Sequence, residues 1–231
     1  MNEIKGLCFD KDGTLFDFAA TWEAWAEAFL VRLCNGDRTR ATAMGVQIGY
    51  DLGLRKFTRD SVVIAGTPGA VTQALLPFFP DMTAPEVASL INEEAENAPQ
   101  QEAVPLMPLL TDFRTRGLAL GVATNDAERP ARAHLGQAGV QQMFDFIVGS
   151  DSGHGGKPAP GQLLAFAQAV GLDPAQIAMV GDSTHDLHAG RAAGMITVGV
   201  LTGMALQPEL APHADVVLPD IGHLPAWLDT R

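Results

Sequence analysis

The chain has 231 residues, of which 47% are hydrophobic and 18% charged, so it can form one large domain or a domain with an insert. Its 15 basic and 27 acidic residues give a formal net charge of −12, which disfavours nucleic acids and anionic membranes as partners. An anionic substrate must therefore be attracted locally, by a metal ion or by a few placed cations.

The first predicted element is a short buried strand, Ile4 to Phe9, which runs directly into Asp10, Asp12 and Gly13. Ligands of open α/β sheets bind at the carboxyl ends of the strands, so both carboxylates are expected at such an edge. Two neighbouring carboxylates can divide the roles of nucleophile and acid, or hold a hard cation such as Mg²⁺. Taken alone, the same residues also fit a solvated turn in which aspartate caps the backbone.

The N-terminal residues contain no apolar secretion signal, because Glu3, Lys5 and Asp10 interrupt the apolar run. Cys8 and Cys34 lack the spacing of metal ligands and are typical of buried thiols in a reducing compartment. We therefore expect a cytoplasmic protein.

Residues 16–103 show helical patterns and no strong strand, so we predict an α-helical cap domain inserted after the first strand. Thr21 is expected to cap a helix whose apolar face we interpret as the core of this insert rather than a ligand box; this face includes Trp22, Trp25, Phe29 and Leu33. The charge-free stretch 61–80 contains several glycines and prolines, and fits two short helices joined at residues 66–69 better than a membrane span. Helical patterns also cover Ala70–Leu76 and Pro85–Ala98.

Strand and helix patterns alternate in residues 104–231, which indicates a parallel sheet with helices on both faces. The predicted strands are Leu118–Ala123, Phe146–Gly149, Ile177–Val180, Ile196–Val200 and Val216–Leu218, and the predicted helices are Glu128–Gln137, Pro160–Val170 and Asp186–Ala193. The fold class is therefore α/β, with a Rossmann-like core formed by residues 1–15 and 104–231.

Polar residues follow three further strands of this predicted sheet. Thr124 and Asn125 follow the second strand and can bind phosphate oxygens, although they also fit a helix N-cap. Lys157 lies in a glycine-rich loop after the third strand, where it can neutralise phosphoryl charge or simply be solvated. Asp182 and Asp186 follow the fourth strand and fit a hard-cation site or a helix cap.

Three histidines need a separate interpretation. His185 and His188 share a predicted helix face, but no cysteine or third histidine completes a transition-metal site, so ordinary surface or packing roles are favoured. His154 lies in the glycine-rich loop, and its role is left open.

The four polar clusters stand in the runs FDKDGTL (residues 9–15), ATN (123–125), GKP (156–158) and VGDSTHD (180–186). In order and spacing, these runs resemble the four motifs of the haloacid dehalogenase superfamily. The helical insert is similar to the cap of the subfamily that includes phosphoglycolate phosphatase.

This resemblance implies a Mg²⁺-dependent phosphatase acting on a small phosphomonoester, of the phosphoglycolate or sugar phosphate type, through an aspartyl-phosphate. Asp10 would be the nucleophile and Asp12 the general acid and base. The implied magnesium ligands are Asp10, the backbone carbonyl of Asp12, Asp182 and, in support, Asp186. The implied phosphate-binding groups are the backbone near Gly13, Thr124, Asn125 and Lys157.

Several alternatives stay open. A sugar-phosphate mutase stays possible, because such enzymes use the same four motifs. A C–P hydrolase or a dehalogenase is disfavoured, because members of the superfamily with those activities lack an acid at the position of Asp12. A non-catalytic phosphate-binding protein is disfavoured by the complete set of motif residues. The chain also departs from the family pattern at two places. Lys11 stands where relatives often have an apolar residue, so its role is open. Leu106-Met107-Pro108 replaces a frequent Pro-Gly turn.

Substrate choice is expected to depend on the insert, because the core motifs handle only the phosphoryl group. Residues 53–59 concentrate three cations in an otherwise acidic protein. We predict that Arg55 or Lys56 contacts a polar or anionic group of the substrate, with solvated surface charges as the alternative. The natural substrate and the oligomeric state are left open.

Overall fold

The computed structural model describes residues 3–231, with residues 24 and 65 described by their backbone alone. The strands are β1 Gly6–Phe9, β2 Tyr50–Asp51, β3 Lys56–Phe57, β4 Ala119–Ala123, β5 Phe146–Val148, β6 Ile177–Gly181, β7 Ile196–Val200 and β8 Val216–Leu218. The helices are α1 Phe18–Leu33, α2 Arg38–Gln47, α3 Val62–Ala65, α4 Pro68–Leu75, α5 Ala84–Ala95, α6 Leu106–Thr115, α7 Glu128–Gln137, α8 Gly161–Val170, α9 Thr184–Ala193, α10 Gln207–Leu210 and α11 Leu224–Leu228.

Six strands form one parallel sheet in the order β5-β4-β1-β6-β7-β8, which confirms the predicted α/β fold. Strand β1 lies between β4 and β6, and all four of its residues are buried. The chain proceeds from β1 toward β4 and β5, and later from β6 toward β7 and β8. The connections that follow β1 and β6 therefore leave in opposite directions, which creates a ligand-binding crevice at the carboxyl ends of these two strands.

Helices cover both faces of the sheet, as predicted. On one face, α6 contributes Leu106, Leu110 and Phe113 to a cluster with Leu7 and Phe9 of β1. On the other face, α8 contributes Leu163 and Phe166 to a second cluster with Cys8. Since adjacent β1 residues point to opposite faces, one short apolar strand holds both layers together.

Residues 16–103 contain α1 to α5 and pack around an apolar cluster of their own, which includes Trp22, Trp25 and Phe29. The chain enters and leaves this insert through two paired segments. The N–H of Asp17 donates to the Gln101 carbonyl at 2.8 Å, and that of Ala103 to the Leu15 carbonyl at 2.9 Å. These bonds support the predicted division into a core and an insert, whose boundaries stay a prediction.

Two predictions within the insert are wrong. Helix α1 begins at Phe18, because the carboxylate of Asp17 accepts a hydrogen bond from the N–H of Ala20 and caps the helix, so Thr21 lies inside its first turn. The insert also contains the antiparallel pair β2–β3, which is only two residues long on each side and therefore too short for an alternating pattern. The two short helices around residues 66–69 are present as predicted, as α3 and α4.

The start of α9 differs from its prediction for a similar reason. The Ser183 hydroxyl accepts from the N–H of Asp186, while the Asp186 carboxylate accepts from the N–H of Ser183 at 3.0 Å. This reciprocal capping box starts the helix at Thr184. Over residues 3–231, no helix combines the length and the apolar character that crossing a membrane requires.

Candidate active site

Five polar side chains from separate chain segments line one cavity between the carboxyl edge of the sheet and the insert, hereafter the central cavity. Asp10 follows β1, Thr124 follows β4 and Asp182 follows β6. Lys157 lies in the loop between β5 and α8, and Asp186 lies in the first turn of α9. The fold thus brings together the residues that the sequence placed at four strand ends.

Asp10, Asp182 and Asp186 form a buried carboxylate cluster, with one oxygen of each within 4.8 Å of the others. Burial raises the pKa of Asp10 to about 7, with Lys157 opposing the rise and Asp186 adding to it. Burial also raises the pKa of Asp182 well above its usual value, and the charges of Asp186 and Asp10 add to that rise. Negative charge at this cluster is therefore costly unless a cation lies beside it.

Lys157 supplies one such cation. Its Nζ lies 2.7 Å from Asp10 Oδ1 and 2.6 Å from Asp186 Oδ1. Burial alone would lower the pKa of Lys157, but the two carboxylates outweigh burial and raise the pKa, so the amine stays charged. Asn125 fixes the loop, because its Oδ1 accepts from the N–H of Lys157 at 2.8 Å and its Nδ2 donates to the Lys157 carbonyl at 3.0 Å.

The carboxylate cluster fits a hard divalent cation. Three carboxylates and one ammonium group leave a formal charge of −2, which one divalent cation would balance. The donor atoms are carboxylate oxygens, the type of ligand that Mg²⁺ prefers. Asp10, Asp182 and Asp186 are therefore suited to hold this ion, and Asp12, also predicted as a ligand, lines the same cavity.

Gly13 lets the turn after β1 approach this cluster. Its φ is +76°, and a Cβ atom at this position would lie 2.6 Å from the carboxylate carbon of Asp182. The Gly13 carbonyl accepts from the Thr202 hydroxyl at 2.6 Å, which ties the turn to the loop after β7. Glycine is therefore required here both by the backbone conformation and by the close contact.

Thr124 lines the central cavity and is only 1% exposed. Its Oγ1 accepts from the N–H of Asp126 at 3.0 Å, and its own N–H donates to the Val148 carbonyl at 3.1 Å. Helix α7 begins at Glu128 with Ala127 in the N-cap position, so the alternative that Thr124 caps this helix is wrong.

Lys11, whose role the sequence left open, is fully buried beside the cavity. Its Nζ donates to Asp12 Oδ1 at 2.8 Å, lies 2.9 Å from His134 Nδ1 and lies 3.3 Å from Asp126 Oδ2. Burial alone would lower the pKa of Lys11, but Asp12 and Asp126 outweigh burial and raise the pKa. Lys11 therefore stays charged and holds one oxygen of the Asp12 carboxylate.

His134 and Trp22 connect Lys11 to the insert. Since an ammonium group cannot accept, His134 Nδ1 accepts from Lys11, and His134 Nε2–H donates to the carbonyl of Ala95 in α5 at 2.7 Å. Burial, with the nearby charge of Lys11, lowers the pKa of His134 to about 4 and keeps the ring neutral. The Trp22 ring centroid lies 5.4 Å from Lys11 Nζ, a cation–π distance.

Arg55 and Lys56 lie at the β2–β3 hairpin, and both are exposed. Arg55 forms an ion pair with Glu27 at 2.5 Å. Neither cation is among the residues that line the central cavity. Their contact with substrate stays a prediction that this conformation does not display.

The three histidines that the sequence singled out have different surroundings. His154 is exposed beside a separate surface depression, and His188 lies with its Nε2 3.2 Å from Nδ1 of His213. His185 lines the central cavity. Within residues 3–231, the aspartate cluster is the one group of three or more such side chains with metal-binding geometry.

Comparison with known proteins identifies the family of this chain. The family model for haloacid dehalogenase-like hydrolases matches residues 4–194, which include all four motif runs. The chain belongs to this family. The family resemblance inferred from the motifs, and the prediction of a hydrolase, are therefore confirmed.

Individual relatives cover almost the whole chain. Phosphoglycolate phosphatase of Neisseria meningitidis is 40% identical over 234 residues, covering 97% of this chain and 92% of the relative. A predicted phosphoglycolate phosphatase from Haemophilus somnus has a TM-score of 0.70 at 20% identity, covering 98% of this chain and 99% of the other. A phosphatase of the family from Thermococcus onnurineus has a TM-score of 0.67 at 21% identity, covering 97% and 98%. The two structural likenesses establish the fold.

Proposed function

We propose that this hydrolase is a Mg²⁺-dependent phosphatase that cleaves a small phosphomonoester through an aspartyl-phosphate at Asp10. The observation that carries the proposal is the position of Asp10, which contacts the Lys157 ammonium group and has a carboxylate oxygen within 4.8 Å of oxygens of Asp182 and Asp186. The names of the relatives make phosphoglycolate and sugar phosphates the first compounds to assay.

Asp10 is the proposed nucleophile. One of its carboxylate oxygens forms a bond to phosphorus as the bond from phosphorus to the leaving oxygen breaks, and water then cleaves the acyl-phosphate. Lys157 Nζ, 2.7 Å from Asp10 Oδ1, holds the carboxylate in place and balances charge on the phosphoryl oxygens. Thr124, which lines the central cavity, is assigned to donate its hydroxyl proton to one of these oxygens.

Asp12 is the proposed general acid and base. It lines the central cavity two residues after Asp10, and Lys11 holds its Oδ1 at 2.8 Å. Proton transfer is therefore assigned to Oδ2, which protonates the leaving oxygen and later takes a proton from the attacking water.

The buried carboxylates imply a cation for charge balance. Mg²⁺ at Asp10, Asp182 and Asp186 would supply charge neutralisation and alignment of the phosphoryl group. The residues of the chain contribute the rest, because Lys157 stays charged and residues of the insert, most of them apolar, line the side of the cavity that faces the carboxylates.

Release of inorganic phosphate from phosphomonoesters in the presence of Mg²⁺ tests this function directly. Asp10→Asn should retain the fold and lose turnover by at least about 10³-fold, because an amide cannot form the acyl-phosphate. Asp81→Asn, at an exposed position of the insert, is the matched control and should be unaffected. A folded Asp10→Asn protein with wild-type turnover would disprove the mechanism, and isomerisation without net phosphate release would identify a mutase instead.

A further inference from the structure

The central cavity has two walls of different chemistry. The core wall carries five carboxylates, from Asp10, Asp12, Asp126, Asp182 and Asp186, together with the Lys157 ammonium group. The described residues of the insert wall carry no formal charge, and most are apolar; they include Phe18, Trp22, Trp25, Val63, Ile64 and Val71. The phosphoryl group belongs at the core wall, so the leaving group must face the insert wall.

The cations of the insert lie elsewhere. All six are exposed on its outer surface; they are Arg32, Arg38, Arg40, Arg55, Lys56 and Arg59. Arg55 pairs with Glu27 at 2.5 Å, and Arg40 donates to the Phe78 carbonyl at 2.8 Å. An anionic leaving group would therefore meet no cation on the insert wall, and on the core wall it would meet five carboxylates and one ammonium group, Lys157, which already pairs with Asp10 and Asp186.

This distribution of charge disfavours a carboxylate on the leaving group. A buried charge without a partner is strongly unfavourable, and hydroxyl groups without hydrogen-bond partners are unfavourable to a lesser degree. Apolar atoms, in contrast, gain stability when the Trp22, Ile64 and Val71 side chains remove them from water. The volume of the central cavity is about 70 Å³, so the space for a leaving group is small.

We infer that the insert wall selects phosphomonoesters with a small apolar leaving group over those whose leaving group carries a carboxylate. This inference rests on the proposed phosphatase function and adds the substrate class. It assigns specificity to Val63, Ile64 and Val71 with the neighbouring tryptophans. It also predicts that this site disfavours phosphoglycolate, the compound for which the relatives are named, because phosphoglycolate carries a carboxylate.

Two substrates of matched size test the inference. In isobutyl phosphate, two methyl groups take the places of the two carboxylate oxygens of 2-phosphoglycolate. Phosphate release should give a kcat/KM for isobutyl phosphate at least about tenfold above that for 2-phosphoglycolate, the scale on which apolar pockets discriminate. A higher kcat/KM for 2-phosphoglycolate would overturn the inference.

A cation placed on the insert wall should reverse this preference. Ile64→Lys should shift the ratio of the two kcat/KM values at least about tenfold toward 2-phosphoglycolate, and Val63→Lys is the second variant if the first does not fold. Val46→Lys is the control, because Val46 is 66% exposed and does not line the cavity. An unchanged ratio in a folded cavity variant, or an equal shift in the control, would contradict the inference.

An Arg55→Ala variant and the substrate 4-nitrophenyl phosphate show whether the inference alone or the proposed function is wrong. If Arg55→Ala changes the ratio and the cavity variants do not, specificity lies at the hairpin and the inference is wrong. If 4-nitrophenyl phosphate is hydrolysed while 2-phosphoglycolate is preferred to isobutyl phosphate, the inference alone fails. If none of the three compounds releases phosphate with Mg²⁺, the proposed function fails and the inference fails with it.

Discussion

Two neighbouring aspartates have different environments although only one residue separates them. Asp10 lies against Lys157 and the carboxylate cluster, whereas Asp12 lies against Lys11 on the other side of the turn. Each carboxylate therefore has its own lysine partner. This separation matches the division between a nucleophile and a proton-transfer group in the proposed mechanism.

The role of Asp12 predicts a dependence on the leaving group. Asp12→Asn should lower kcat for alkyl phosphates by about 10²- to 10⁴-fold, and much less for 4-nitrophenyl phosphate, because nitrophenolate leaves without protonation. Steady-state kinetics with both substrates measure the difference. An equal loss on both would show that Asp12 acts only in positioning.

Sequence alone predicted the residues that follow the strands and missed the partners of Lys11. Asp10, Asp182 and Lys157 were found because the end of a parallel strand is recognisable in the local pattern, and parallel strands end at one edge. Lys11 and His134 are 123 residues apart, and nothing in either local pattern indicates that they meet. Asp10 and Asp12 flank Lys11 in the sequence, but their position beside it does not show that the lysine is buried.

At the level of elements, α7 and α5 connect the core to the insert through one neutral histidine. His134 of α7 donates to the carbonyl of Ala95 in α5 and accepts from Lys11. Protonation of Nδ1 would remove this acceptor and place two positive charges together. The contact therefore depends on pH.

Stability should fall in acid through His134. The unfolded chain takes up this proton near pH 6.5, while the folded protein resists until about pH 4, so the contribution is complete above pH 6.5 and is lost as pH falls toward 4. The full effect is about 3 kcal/mol. His134→Gln should lose less unfolding free energy than wild type between pH 7.5 and pH 5. Urea unfolding of both proteins at the two pH values measures this.

Burial raises the pKa of Asp126 to about 6, so this carboxyl group stabilises the folded protein as pH falls, opposite to His134. Wild type and His134→Gln both contain Asp126, so its contribution cancels when their unfolding free energies are subtracted. His154→Gln, at an exposed position, provides the control and should keep the pH dependence of wild type. A difference between wild type and His134→Gln that does not change with pH would contradict the assigned ring state.

The elements themselves were predicted with unequal success. The core strands and helices have continuous apolar runs and end signals, and most of their bounds agree with the structure within one or two residues. The hairpin β2–β3 was missed because it is stabilised by packing, with the Tyr50 and Phe57 rings 4.9 Å apart, rather than by a pattern in two-residue strands. The cap of α1 was misassigned because Asp17 and Thr21 are both competent caps.

At the scale of the whole molecule, the core and the insert together form the site. Trp22 and Trp25 belong to the apolar cluster of the insert and also line the central cavity. The sequence analysis interpreted these aromatic residues as core of the insert, and this is only part of their role, because they also form a wall of the cavity. Which face of α1 turns toward the sheet depends on how the two units pack, and one-dimensional periodicity does not contain that information.

The carboxylate cluster predicts a metal requirement for the whole molecule. Chelation should abolish phosphate release, Mg²⁺ should restore it, and Ca²⁺ should not, because Ca²⁺ prefers more ligands and looser geometry. Mg²⁺ at 100 times its Kd should also stabilise the fold by about 2.7 kcal/mol. In thermal unfolding, Asp182→Asn should lose most of the stabilisation that Mg²⁺ gives to wild type. Full activity of a protein that contains no bound metal would contradict the proposed metal site.

The central claim, that Asp10 carries the phosphoryl group during turnover, is tested most directly by trapping the intermediate. The protein is mixed with an aryl phosphate and Mg²⁺, quenched in acid within one turnover and reduced with borohydride, which converts an aspartyl-phosphate to homoserine. Peptide mass spectrometry should find homoserine at position 10 and aspartate at positions 12 and 182. Complete turnover with unmodified Asp10 at every quench time, or homoserine at another position, would contradict the mechanism.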